Sequence, residues 1–181
     1  MRCEHKSAAA AGLVLCLHSL AIAQVTGVHW KAVSPTRYEL YAALTDPTVR
    51  VIAAELNPEA QPGTPTGLYS SDGMILPSST LALGDASVMV LSGPSFEPSG
   101  SGSVLRATWF TLGSPTAHPV ESADGEILGL LLASIDVSSQ YTLLGGHGGS
   151  PKGNPSSLVS VGWENATLGA GADATFEIPL I

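Results

Sequence analysis

Tyr38-Glu39-Leu40-Tyr41-Ala42-Ala43-Leu44-Thr45-Asp46-Pro47-Thr48-Val49-Arg50-Val51-Ile52-Ala53-Ala54-Glu55-Leu56 is the stretch that decides how this chain folds. From Thr36 to Leu44 the residues alternate. Tyr38, Leu40, Ala42 and Leu44 fall on one side, and Arg37, Glu39, Tyr41 and Ala43 on the other. An apolar face against a mixed one is the pattern of a half-buried strand. A short helix competes, because Thr36 and Glu39 have capping-box spacing and several residues are good helix formers. Pro35 and Pro47 leave it little length, and short helices gain little on their own, so the reading is strand. Val49, Val51 and Ile52 are β-branched and suit a second strand. Arg50 and Glu55 in it need a route to water. Asp46-Pro47 is a turn signal: Asp bonds its own backbone and Pro presets φ. The expectation is a hairpin about Asp46-Pro47, to which further short strands are added.

Working outward, Val25 to Val33 reads as a first strand anchored by Val28 and Trp30. Asn57 to Thr66 is a loop, with three prolines and a glycine. Gly67 to Ser71 and Thr80 to Leu83 read as short strands on either side of an Asp72-Gly73 turn. Ser87 to Leu91 reads as a buried strand. Ser92 to Ser103 is rich in Ser, Gly and Pro, and is expected to be a surface loop rather than a subdomain boundary. Val104 to Leu112 is a strand with Trp109 and Phe110 on opposite faces. Gly113 to Glu126 reads as a loop. Ile127 to Val137 is the most apolar stretch outside residues 1–23 and is expected to be the central strand, with a buried helix as the rival. Strict alternation puts Gly129, Leu131, Ala133 and Ile135 on one face of it. Gln140 to Leu144, the glycine-rich loop Gly145 to Pro155, and strands at Ser157 to Trp163 and Ala174 to Ile181 complete the chain. The fold class expected is all-β: an antiparallel β-sandwich or jelly roll of roughly eight to ten short strands.

The start of the chain is read as a signal peptide. Arg2 and Lys6 precede the apolar run Ala8 to Ala23, which ends in Ala21-Ile22-Ala23. That places cleavage between Ala23 and Gln24 and leaves one domain, 24–181. The run is short for an uncleaved membrane anchor. Cys3 and Cys16 would be lost with it, so no disulfide framework or thiolate metal site is expected. The composition agrees with an all-β exported chain: 44% hydrophobic, 12% charged, with 20 Gly and 13 Pro. The net charge is −8, and loss of Arg2, Lys6 and Glu4 makes it one unit more acidic. Nucleic acid and anionic membrane surfaces are therefore poor partners. An extracellular protein or glycan is the partner class that remains, with the periplasm as the other compartment.

Motifs for chemistry are few. No serine has the nucleophile-elbow spacing; Gly93-Pro94-Ser95-Phe96-Glu97 is the nearest approach. His29, His118 and His147 stand alone, away from zinc-ligand spacings, and are read as loop or surface histidines. Gly145 to Gly149 lacks the Lys-Ser/Thr of a phosphate loop. Asp124 and Glu126, flanking Gly125, are the weak candidates for a calcium ion, the one cofactor the sequence would admit. Asp72 and Asp85 are weaker still. Asn165-Ala166-Thr167 has the form of a glycosylation sequon. Three tryptophans on separate segments would either stack sugars or fill a core, and the core is preferred.

Tyr38-Glu39-Leu40-Tyr41 with Asp46-Pro47, Trp109-Phe110 and Ala123-Asp124-Gly125 resembles a loose family of uncharacterised secreted bacterial β-sandwich proteins, whose members often carry sorting or cell-surface modules. The resemblance covers these short motifs and implies no activity. The functional expectation is a secreted non-catalytic β-sandwich that binds, adheres or has a structural role outside the cell. A carbohydrate-binding module, alone or assisted by calcium, is the alternative, and a secreted hydrolase the second.

Overall fold

The computed structural model describes residues 24–56, 68–70, 74–99, 102–139, 158–165, 167, 169–179 and 181. Residues 1–23, the loop at Asn57 to Thr66, the Asp72-Gly73 turn and the stretch Gln140 to Pro155 with His147 lie outside these. The described residues form an all-β antiparallel sandwich without helix. In chain order the strands are β1 (Val25–Ser34), β2 (Arg37–Leu44), β3 (Val49–Glu55), β4 (Leu68–Ser70), β5 (Thr80–Leu81), β6 (Met89–Ser99), β7 (Gly102–Phe110), β8 (His118–Ser122), β9 (Gly125–Asp136), β10 (Leu158–Asn165) and β11 (Gly171–Glu177).

One sheet runs β1-β2-β9, with β5 and β8 also paired to β9. The other runs β11-β10-β3-β7, with β4 and β6 also paired to β7. Each sheet turns one face inward. Trp30, Tyr38, Leu40, Ala42 and Leu44 from the first sheet meet Val51, Leu105, Trp109, Val161 and Trp163 from the second. Two tryptophans tie the layers with polar bonds as well as packing. Trp30 Nε1 donates to the Pro179 carbonyl at 2.9 Å, and Trp109 Nε1 donates to the Ala82 carbonyl at 2.6 Å. A buried indole N–H without an acceptor would be costly, so these bonds fix where each ring sits.

The expected hairpin at Asp46-Pro47 is corrected. Both strands exist, but they do not pair: β2 belongs to one sheet and β3 to the other. The turn is an arch between layers. Its apolar strands each turn a face to the shared core, which a flat two-stranded pairing could not bury. The turn itself is built as Asp46 predicts. Asp46 Oδ1 accepts the Thr48 N–H at 2.8 Å and the Thr48 hydroxyl. Thr48 Oγ1 in turn lies 3.5 Å from Asn165 Nδ2, which clamps the arch to the end of β10.

Four other readings change. Ser87 to Leu91 is not buried: Met89, Val90 and Leu91 begin β6 with exposed side chains. Ser92 to Ser99 is not a loop but part of strand β6, and Gly102 and Ser103 begin its partner β7. Proline is tolerated there because β6 pairs with β7 alone among the described strands, and a backbone N–H facing away from the ladder is not missed. Gly113 to Glu126 contains β8. Finally, Leu131 does not share a core face with Ala133 and Ile135. Opposite Leu40 and Tyr41, β9 places Ala133 and Leu131, with Leu132 as the extra residue between them. This bulge shifts the alternation by one. Leu130 and Leu132 face the core before it, and Ala133, Ile135 and Val137 after it, while Leu131 is half-buried on the outer face. β3 uses the same device. Trp163 and Gly162 oppose Val51 and Ala53, so Ile52 is extra, and the core residues run Val49, Val51, then Ala54 and Leu56.

Candidate functional site

Asp124 and Glu126, the residues singled out for calcium, lie at the β8–β9 turn, and both are exposed. Glu126 sits opposite Glu121 in the ladder. Asp124 turns to β1, where its Oδ2 lies 2.7 Å from His29 Nδ1. The adjacent Ala123 N–H donates to the Trp30 carbonyl at 3.0 Å. The Asp124 and Ala123 bonds fasten the β8–β9 turn to β1. Among the described residues, no three His, Cys, Asp or Glu side chains gather where they could hold a metal ion. The tryptophans Trp30, Trp109 and Trp163 are all buried in the core, as preferred from the sequence. The sequon residue Asn165 is only 8% exposed; its Oδ1 accepts the Thr167 N–H at 2.9 Å.

The remaining polar side chains mostly knit strands together. Arg37 reaches both carboxylate oxygens of Asp136 at 3.2 Å, and the two are cross-strand partners of β2 and β9. Arg50 pairs with Glu164 across β3 and β10. Both side chains are partly exposed, which gives Arg50 the route to water it required. Tyr41 donates its hydroxyl to Glu39 Oε2 at 2.7 Å. Burial pushes the Tyr41 phenol well above the usual tyrosine range, and the bond to Glu39 and that residue's charge add to the effect.

What the sequence reading did not assemble is the surface around the turn at Gly84-Asp85. Leu83 and Ala86 bridge across this turn, and Gly84 has φ +56°. A depression lies on each side of Asp85. The larger, of about 510 Å³, is bounded by Asp85, Ser87, Met89, Thr111 and Leu112 among others. The smaller, of about 220 Å³, lies over the outer face of β9 and is lined by Tyr41, Asp85, Thr116, His118, Val120 and Leu131, with Gly84 and Gly129. Gly129 is needed for its floor. A Cβ there would stand 3.0 Å from Val120 Cγ2 and 3.1 Å from Tyr41 Cδ1, so those side chains close over the glycine. The Asp85 carboxylate accepts the Thr116 N–H at 2.9 Å. That bond comes first among the causes holding Asp85 below the usual aspartate range, and the neighbouring His118 contributes in the same direction. In sequence, His118 was a lone surface histidine and Asp85 a remote metal candidate. The structure sets both on one cleft. The available signal was the Gly-Asp turn, which said where the chain bends but not what it faces.

Comparison with known proteins finds no matching family model, no matching curated protein and no matching solved structure.

Proposed function

We propose that this chain is a secreted, non-catalytic β-sandwich that binds or adheres outside the cell. Residues 1–23 direct export on this reading, and cleavage between Ala23 and Gln24 releases 24–181. The observation that carries the binding role is the apolar surface where β6 begins and β7 ends. Met89 and Val90 are each 44% exposed, Leu91 71% and Leu112 81%, and Met89 and Leu112 also border the larger depression. Apolar area left in water costs about 25 cal/mol per Å², and a partner that covers it recovers that energy. Large apolar side chains left exposed close together in the chain are a feature of interaction surfaces. The acidic balance favours an extracellular protein or glycan over nucleic acid or an anionic membrane. The carbohydrate-binding alternative draws support from the smaller cleft. The metal-assisted version of it draws none, since Asp124 is engaged by His29.

The test compares the exported parent chain with a Leu91→Asp, Leu112→Asp double variant. The parent should be retained on the surface of the secreting cells or sediment as an assembly, and the variant should stay free and monomeric at an unchanged melting temperature. Equal behaviour of the two would remove the apolar surface from the argument. Release of product from ester, glycoside or peptide substrates, co-purifying with the chain, would replace the reading with a hydrolase.

A further inference from the structure

The smaller cleft has a shape and a chemistry that select a ligand class. Its volume of about 220 Å³ is below the roughly 300–1,000 Å³ of pockets that take drug-sized ligands, so it admits about one six-membered ring. The floor is apolar, made by Leu131, Val120 and the ring edge of Tyr41 over Gly129. The rim is polar: Asp85, Thr116 and His118. It is also held in place. The Gly84 N–H donates to the Leu131 carbonyl at 2.8 Å, and Thr116 N–H to Asp85 at 2.9 Å. A Cβ on Gly84 would stand 2.8 Å from the Thr116 carbonyl oxygen, so the two backbones are in close contact. A preformed rim loses little entropy on binding.

An ionised carboxylate only accepts hydrogen bonds, and it has lone-pair sites beyond the one that Thr116 uses. A purely apolar ligand would strip water from Asp85 without replacing its bonds. A cationic ligand could pair with Asp85 but would lay its charge over the apolar floor of Leu131 and Val120, which offers it no acceptor. A ring with one apolar face and several hydroxyls satisfies both parts. We propose that this cleft is a carbohydrate subsite for a single neutral hexose unit, with Asp85 accepting the ring's hydroxyls and Leu131, Val120 and Tyr41 receiving its C–H face. This rests on the reading of the chain as a binding protein. A cleft that bound the sugar and also cleaved it would keep the subsite and fail that reading.

The test is an amide-resolved NMR titration of chain 24–181 with methyl glucoside, methyl galactoside and methyl mannoside. Methylammonium and cyclohexane-methanol serve as cationic and apolar-ring probes. At least one glycoside should shift the amides of Gly84, Asp85, Thr116, His118 and Leu131 at millimolar excess, with no new product signals. Asp85→Asn keeps a carbonyl to accept from Thr116 and should still fold, but it loses a charge-assisted bond, weakening affinity about tenfold or more. Leu131→Glu, which puts a charge on the floor, should abolish the shifts while leaving the core resonances in place. Shifts from the amine or the apolar ring alone would overturn the proposal. So would the absence of any shift at these five amides, or an Asp85→Asn variant that binds as the parent does.

Discussion

Leu132 and Leu131 are neighbours in sequence, and the bulge in β9 gives them opposite fates. Leu132 is fully buried in the core, whereas Leu131 is half-buried on the outer face. Truncation to Ala removes three carbon groups from either. At Leu132, transfer of those groups costs about 0.8 kcal/mol each, or about 2.4 kcal/mol. Neighbours in two hydrogen-bonded sheets relax little, and an unrelaxed void of roughly 60–80 Å³ adds about 1.5–2 kcal/mol at about 24 cal/mol per Å³. Leu132→Ala should therefore cost about 4 kcal/mol. For a chain of this size that is a fall of about 8–16 °C in melting temperature. Leu131→Ala leaves an indentation open to water instead of a void, and its half-exposed side chain forfeits less transfer energy, so about 1 kcal/mol is expected. The assay is a denaturant melt of each variant against the parent, reading the midpoint at constant slope. If Leu131→Ala costs as much as Leu132→Ala, or more, then β9 alternates without interruption and the register argument fails.

Three other outcomes can be measured, two from local geometry and one from the sequence. Asp46 and Asp85 both titrate below the ordinary aspartate range, Asp46 chiefly through the Thr48 hydroxyl and Asp85 chiefly through the Thr116 N–H. A lowered folded-state pKa gives stability that is complete above the unfolded value of about 3.9 and is lost as pH falls through the lower folded values. Melting temperature should therefore drop on acidification below about pH 4, and less steeply in Asp46→Asn; identical acid slopes would refute the Asp46 contribution. Gly129→Ala forces a Cβ against Val120 and Tyr41, and should destabilise by about 1–3 kcal/mol in the same denaturant melt; a neutral result would mean the floor of the cleft is not closed. N-terminal sequencing of exported material should read from Gln24, and retention of Met1 would remove the signal-peptide assignment.

The residues singled out in sequence met different fates. Trp109 and Trp163 read as core because large aromatics in an alternating pattern seldom have anywhere else to go, and both are buried. Asp124 reads as part of a loop, and its partner, His29, lies 95 residues earlier, where no spacing rule could have found it. His118 and Asp85 come together only because β8 and the Gly84-Asp85 turn both border the outer face of β9.

Composition and alternation, which are properties of neighbouring residues, determined the class: an all-β antiparallel chain, strands at most of the expected places, a turn at Asp46-Pro47 and a buried Trp30, Leu40 and Ile135. What the tertiary structure decided is partnership and phase. Asp46-Pro47 turns the chain either between paired strands or between layers, and nothing local distinguishes the two, because the choice rests on which distant strands, β9 and β10, cover β2 and β3. Phase is open for the same reason. Leu130-Leu131-Leu132 and Val51-Ile52-Ala53-Ala54 are apolar throughout, so either face of the strand could be buried. The extra residue is fixed only when the ladder to the neighbouring strand is laid down.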